Sequence, residues 1–407
     1  FESSYFYKIE GYFNIENKII YSSLNNKLIS LKETEDFLNL CKKAIFKIDK
    51  IVKKESYKNP SLPFTTSSLQ QEASRRYGIT PSICMKIAQK LYESGKITYM
   101  RTDSLSLAPD ILNSIENFIT NKYGSVYSNK RQYKTQNETA QEAHEAIRPV
   151  DINISNIGSG GGDSLTQNIY SLIWNRTIAS QMSKMKFYNN IIDISISNND
   201  LYFISNIKKI IFDGYTILYK NEFQKEKEFK NESEDEIFME ENNSFNADNL
   251  KVKQVIDYQE IIGKEDFTSI PSRYNEADLI SVLEKKGIGR PSTWANISET
   301  NLKRNYVEKK SNEGIDREIS ILKLNIDKKI ITSKENKKMS AFKNKLVVLP
   351  IGKMICNFLN ENFKDVINYS FTSDMEKQLD LIYNAKLDWK KMLNEFYDLF
   401  SKSILKV

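Results

Sequence analysis

The chain opens with apolar and polar positions in alternation at Tyr5, Tyr7 and Ile9, the two-residue period of a half-buried strand. It continues into a stretch in which Phe37, Cys41, Ala44 and Ile45 share one face of a helix. Alternation returns in Ile192-Asp193-Ile194-Ser195-Ile196-Ser197 and in Tyr215-Thr216-Ile217-Leu218. The simplest account is a β-rich domain, 1–58 and 187–257, interrupted by an inserted domain over 59–186. The insertion starts with a helix pair. Ser67 and Ser68 with Gln70 and Gln71 give a capping-box signal, Leu69, Ala73 and Tyr77 a helical stripe, and Gly78 stands where a C-terminal glycine belongs. Thr80 and Pro81 begin the second helix, Cys84, Ile87, Ala88 and Leu91 form its buried face, and Gly95 ends it. From about 258 to 407 the period is helical again: Glu276 to Lys286, Pro291 to Lys303, Ile351 to Glu361 and Met375 to Ala385. The fold class expected is multidomain α+β, with a winged-helix-like insertion in a β-rich domain and a helical domain after it.

Composition narrows this picture only slightly. With 407 residues, 40% hydrophobic and 28% charged, the chain can hold two or three domains and a large core. A net charge of +6 permits a polyanionic partner without demanding one. Cys41, Cys84 and Cys356 are scattered, so neither a zinc ribbon nor a disulfide framework can be built from them, and each reads as a small buried hydrophobe in a reducing compartment. No apolar run is long enough to cross a membrane, and no nucleotide fingerprint appears. The stretch 219–250, with Lys225-Glu226-Lys227-Glu228 and Glu232-Ser233-Glu234-Asp235-Glu236, is too polar to order itself and reads as a flexible insertion. A second loop is expected at Gly158 to Ser164. The chain starts at Phe1 and shows no signal segment, so it is expected to be an excised part of a longer protein.

The chemistry concentrates in Ile97-Thr98-Tyr99-Met100-Arg101-Thr102-Asp103-Ser104. A tyrosine oxygen can attack a phosphodiester and keep the bond energy as a phosphotyrosine, provided a cation neutralises the charge that develops on the phosphate. In an extended segment Tyr99 and Arg101 point to one side and Met100 to the other. A tyrosine taken blindly from the 22 in this chain would be a packing residue, and the octapeptide is what distinguishes this one. His144 is the only histidine, so any imidazole proton shuttle must use it. If Glu138 to Ile147 is helical, His144 shares a face with Gln141 and Arg148. Gly287-Ile288-Gly289-Arg290-Pro291-Ser292-Thr293 places glycine turns, an arginine and two hydroxyls at a helix start, where free N–H groups favour a phosphate. A capped helix with a solvated arginine is the equally good plain reading. Trp294 and Tyr306 could stack bases, with core packing the better account of Trp294.

The octapeptide resembles the active-site signature of type IA DNA topoisomerases, and four further segments follow that family in order. They are Pro63-Phe64-Thr65-Thr66-Ser67-Ser68-Leu69-Gln70-Gln71-Glu72-Ala73, Ala143-His144-Glu145-Ala146-Ile147-Arg148-Pro149, the Gly287 to Thr293 segment, and Tyr369-Ser370-Phe371-Thr372 with Met375-Glu376. Methionine before the arginine and His-Glu-Ala-Ile-Arg-Pro are similar to the bacterial topoisomerase I branch more than to topoisomerase III. The resemblance implies a β-rich arch over 1–58 and 187–257, a tyrosine-bearing domain over 59–186, and a helical DNA-binding base over 258–407.

It further implies Tyr99 as nucleophile, Arg101 as stabiliser of the transition state and His144 as a proton-transfer or DNA-contacting group. Thr98, Thr102, Asp103, Arg148, Arg290, Thr293 and Arg304 become contacts to a single strand within underwound duplex. Magnesium is implied through a Toprim domain that this chain lacks, so no metal site is expected here. A fragment without that domain is expected to be inactive alone. The expected partner is DNA, with no nucleotide and no membrane, and the expected state is a monomer in a bacterial nucleoid or an organelle of bacterial descent such as a plastid. A topoisomerase III-like decatenase and a non-catalytic DNA-binding or scaffold piece remain the alternatives.

Overall fold

The structure is a computed structural model that describes residues 4–15, 18–134, 144–158, 164–197, 199–219, 249–268 and 270–407. Most of the two expected loops, 159–163 and 220–248, lies outside the described residues. The chain divides into two compact units. The first comprises Phe1–Asn59, Lys184–Ser272 and Asn312–Phe342.

In this unit β1 (Tyr5–Ile15), β2 (Lys18–Leu24), β3 (Phe46–Lys58), β4 (Met185–Ile196), β5 (Tyr202–Phe212) and β6 (Val255–Phe267) join in the order β1-β2-β5-β4-β3-β6. Because β6 also pairs with β1, the ring closes into an antiparallel barrel. Closure removes the open edges that an alternating strand sequence would otherwise expose. The inward positions supply a dense aromatic centre: Phe13 lies 5.2 Å from Phe46 and 5.3 Å from Phe203 between ring centroids. α1 (Leu31–Cys41) is capped by Ser30, whose hydroxyl accepts from Glu33 N, and it buries Thr34, Phe37, Leu38 and Cys41. It packs closely enough on β6 that a Cβ on Gly263 would stand 2.5 Å from Thr34 Cγ2. Ala44 and Ile45 fall beyond the end of this helix. Tyr215 to Leu218 is a 3-10 turn over Gly214–Tyr219 and not a strand, because the Asp213 carbonyl captures both the amide and the hydroxyl of Thr216.

The expectation of helix from 258 onward fails in part. β6 runs to Phe267, β7 (Val307–Asn312) pairs with β10 (Phe342–Val348), and β8 (Ile315–Asn325) and β9 (Ile330–Met339) extend the barrel sheet from β6. β7 and β9 carry no buried side chain, so their lysine-rich sequences show no apolar period to read.

The second unit comprises Pro60–Ser183, Arg273–Ser311 and Lys343–Val407. Its helices are α2 (Thr66–Tyr77), α3 (Pro81–Glu93), α4 (Pro109–Tyr123), α5 (Ser164–Ser180), α6 (Glu276–Lys285), α7 (Trp294–Lys303), α8 (Pro350–Asn362), α9 (Phe371–Tyr383) and α10 (Trp389–Ile404). The cap of α2 lies earlier than its sequence suggests. Thr65, in extended conformation, exchanges hydrogen bonds with Ser68, and Gly78 closes the helix at φ 64°. Thr80 and Pro81 start α3 as expected, with Cys84, Ile87, Ala88 and Leu91 buried. Trp294 is core. Burial pushes the Cys41 and Cys84 thiols up to about 12, whereas Cys356 is exposed and does not fit the buried reading.

One charge cluster braces the region that carries Tyr99. Burial works to raise the Glu72 carboxyl, but Arg75, Arg176 and Arg76 overcome it and hold the group below its ordinary value. Arg75 and Arg76 reach Glu72 at 2.6 and 2.7 Å. Arg176, 3.6 Å from the same carboxylate, also lies over the Phe64 ring. A carboxylate this enclosed persists because several cations compensate its desolvation.

Candidate active site

The mount of Tyr99 is a three-stranded weave too short to count as a sheet. The segment His144–Val150 is extended and not helical, and residues 138–143 lie outside the described residues. Ile147 N donates to Phe64 O at 2.8 Å on one side, and on the other Thr98 N donates to Arg148 O at 2.9 Å and Val150 N to Lys96 O at 2.9 Å. Pro149 disfavours helix at Arg148, and fully buried Ala146 and Ile147 anchor the strand. Thr98 locks the crossing: its hydroxyl donates to Ala146 O at 2.8 Å and accepts from Arg148 N at 3.0 Å.

Along the octapeptide, Ile97 and Met100 are 1% exposed while Tyr99 is 44% exposed and Arg101 is also at the surface. The chain therefore presents Tyr99 and Arg101 and anchors itself through Met100. Tyr92 meets the Tyr99 ring edge-on at 5.2 Å between centroids, which restrains the ring. Among the described residues neither the Tyr99 hydroxyl nor the Arg101 guanidinium has a hydrogen-bond or ion-pair partner. His144 is likewise exposed and unpartnered among them.

The other residues singled out from sequence divide into two groups. Thr102 is buried, and its hydroxyl accepts from Ser104 N at 3.0 Å. Arg148 makes a two-pronged pair with Glu145, at 3.1 and 2.8 Å, and donates to Pro149 O. Glu145 in turn accepts from Ala108 N at 2.6 Å, so it staples the histidine segment to the end of the tyrosine loop. Arg304 stands exposed after α7, with no side-chain partner among the described residues.

Arg290 and Thr293 form the turn before α7, where Thr293 Oγ1 accepts from Arg290 N at 2.8 Å. The Arg290 guanidinium forms an ion pair with Glu376 of α9. Burial works against its charge, Asp103 and Asp380 support it, and the balance leaves it below its ordinary value. Asp103 thus connects the tyrosine loop electrostatically to Arg290 and to Glu284. Burial first, and Asp103 second, raise the Glu284 carboxyl, opposed by the Ser67 hydroxyl that donates to it at 2.6 Å.

Sequence reasoning named neither Glu145, Glu284 nor Tyr92 as part of this arrangement. Glu145 stood inside a quoted motif, but its use shows only once the strand pairing is known. Among the described residues no group of three or more His, Cys, Asp or Glu side chains could hold a metal ion. No chemical step is assigned to a metal ion here.

Comparison with known proteins fits this geometry. Residues 1–324 match the family described as DNA topoisomerase. A prokaryotic-type DNA topoisomerase 1 of Acanthamoeba polyphaga mimivirus is 33% identical over 98% of this chain and 49% of its own length. DNA topoisomerase 1 of Rickettsia felis is 35% identical over 93% of this chain and 44% of its own. That of Pseudomonas aeruginosa is 33% identical over 90% and 37%. The chain therefore spans about half the length, or less, of these curated relatives. The full-length topoisomerase I of Thermotoga maritima superposes with a TM-score of 0.74 at 26% identity, covering 99% of this chain and 59% of that one. A match over this much of the chain, with a whole-chain structural likeness, establishes that the protein belongs to the bacterial-type, type IA DNA topoisomerases.

Proposed function

We propose that the natural polypeptide carrying this chain relaxes underwound DNA by transient single-strand cleavage at Tyr99. The observation that carries this reading is the outward pair Tyr99 and Arg101 on either side of buried Met100, both reactive groups free of partners among the described residues. The Tyr99 oxygen attacks the phosphorus of a strand phosphodiester. The O–P bond forms as the P–O3′ bond breaks, leaving a 5′-phosphotyrosine and a 3′-hydroxyl. The phenol proton leaves on attack and a proton reaches the departing 3′ oxygen, with His144 the imidazole available for the exchange. Arg101 neutralises the charge that builds on the non-bridging oxygens. Reversal by the 3′ oxygen restores the strand, so the bond energy is conserved and no nucleotide is needed.

Arg290, Thr293 and Arg304, together with Asp103, are the proposed strand contacts. Thr98 and Thr102 act from inside the loop and Arg148 through Glu145, so their contribution is to the shape of the site. A monomer acting on single-stranded segments of duplex is the expected working state. The bacterial relatives suggest a nucleoid as the setting, and a transit segment in the natural polypeptide would mark an organelle instead.

The test is Tyr99→Phe in the natural polypeptide, with covalent protein–DNA species trapped by denaturant. Loss of the species with strand binding retained is the expected result. Persistent adducts would place the nucleophile elsewhere, and a wild-type protein that binds DNA without ever forming them would be a scaffold.

A further inference from the structure

Thr66 is the first residue of α2 and is fully buried. Its hydroxyl donates to Met100 O at 2.7 Å and accepts from Thr102 N at 2.8 Å, with Thr102 O a further 3.0 Å neighbour. The Thr66 amide donates to Thr102 O at 2.8 Å. A hydroxyl has one proton and two acceptor positions, so this atom meets the carbonyl before Arg101 and the N–H after it at the same time. Nothing about helix packing requires that arrangement: valine has the same shape and would fill the same space. The hydroxyl is placed where only the backbone on each side of Arg101 gains from it.

We infer that Thr66 is a positioning residue for the reaction, one whose buried hydroxyl fixes the peptide planes around Arg101 and so aims an otherwise unheld guanidinium. The inference rests on the reading of Tyr99 and Arg101 given above. Arg101 has a long side chain and no partner of its own among the described residues, so its reach is set by the direction in which its Cα–Cβ bond leaves the loop. That direction follows from the two peptide planes that Thr66 holds. The capping box of Thr65 and Ser68 fixes the helix start on which Thr66 stands, which makes the clamp rigid from behind. Transition-state stabilisation falls about a hundredfold for misplacement of a group by about 1 Å, so loss of this clamp should act on the chemical step and not on binding.

The experiment compares Thr66→Val and Thr66→Ser in the natural polypeptide, measuring the rate of covalent adduct formation and, separately, the dissociation constant for a single-stranded oligonucleotide. Thr66→Val is expected to slow adduct formation about a hundredfold with affinity changed less than about threefold, and Thr66→Ser, which keeps the hydroxyl, to restore most of the rate. Equal rates in the two variants overturn the inference, as does a Thr66→Val defect that lies wholly in binding. If Thr66→Val does not fold, Thr66→Ser and Thr66→Ala carry the same comparison, since both remove the branch and only one keeps the hydroxyl. Equal adduct rates in that pair also overturn it. Tyr99→Phe run alongside separates the failures. Adducts persisting there overturn the reading of Tyr99 and this inference with it, whereas adducts lost there while Thr66→Val stays unimpaired overturn this inference alone.

Discussion

The residues that carry Tyr99 and the three helices at 350–404 belong to the same compact unit but are built to different densities. In the region that carries Tyr99, Phe64, Leu69, Leu91, Ile97, Met100, Ile115 and Ile173 are all at most 2% exposed. In α8, α9 and α10 the buried set is Gly352 alone, and Leu393, Tyr397 and Leu399 are 51%, 65% and 54% exposed. α9 and α10 meet through Phe371, Phe396 and Phe400 and leave a cavity of about 250 Å³ beside them. The contrast separates two demands. A side chain that is to be held to a fraction of an ångström needs a packed interior, as the Tyr99 segment has, whereas α8, α9 and α10 keep their apolar positions half exposed.

Truncation inside each region is the strongest way to break this comparison. Leu91→Ala should cost about 2–4 kcal/mol, the usual range for emptying a closed core site, and Leu399→Ala less than about 1 kcal/mol. Urea midpoints measure both, and equal costs would mean that the two regions are packed alike. Next in size is Glu72→Gln, which leaves Arg75, Arg76 and Arg176 facing one another and should cost about 2 kcal/mol at neutral pH. The folded carboxyl lies below its ordinary value of 4.5, so its stabilisation is complete above that value and is lost as pH falls through the lower folded one. Wild type and Glu72→Gln should therefore converge in acid, and a gap that stays constant down to pH 2 would contradict the assignment. The smallest effect lies where the loose helices touch the site. Glu376→Gln releases Arg290 from its partner and should tighten single-strand binding about threefold to fivefold, the weight of one partly exposed ion pair. Arg290→Ala should weaken binding and lower the salt slope by about one. If Glu376→Gln weakens binding instead, the carboxylate serves to present Arg290 and not to compete for it.

The dense region was also the legible one. Strong periodicity and the Gly78, Thr80 and Pro81 signals mark α2 and α3, and the alternation of Tyr99, Met100 and Arg101 appears directly in their exposure. The cap on Thr65 in place of Ser67 or Ser68 shows why boundaries are harder: four hydroxyl residues in succession, Thr65 to Ser68, offer competing caps, and backbone conformation chooses among them. The extended His144 segment was hidden because its partners, Phe64 and Ile97, are remote in sequence. β7 and β9 escaped notice for a different reason, since lysine-rich exposed strands carry no apolar period. The partners of Arg148 and Arg290 follow from tertiary placement, and no local pattern marks an arginine as already engaged.

Lys58, at the end of β3, stands opposite Met185, at the start of β4. The long excursion through the Tyr99 region thus leaves and rejoins the barrel at neighbouring positions, like an oversized loop on a hairpin. Such a hairpin has high contact order, and closing it carries the entropy of everything in between unless that part has already condensed. The barrel should accordingly fold late, after residues 60–183 have shortened the distance by folding themselves. Joining β3 to β4 through a two-residue Asn-Gly turn should let it fold sooner.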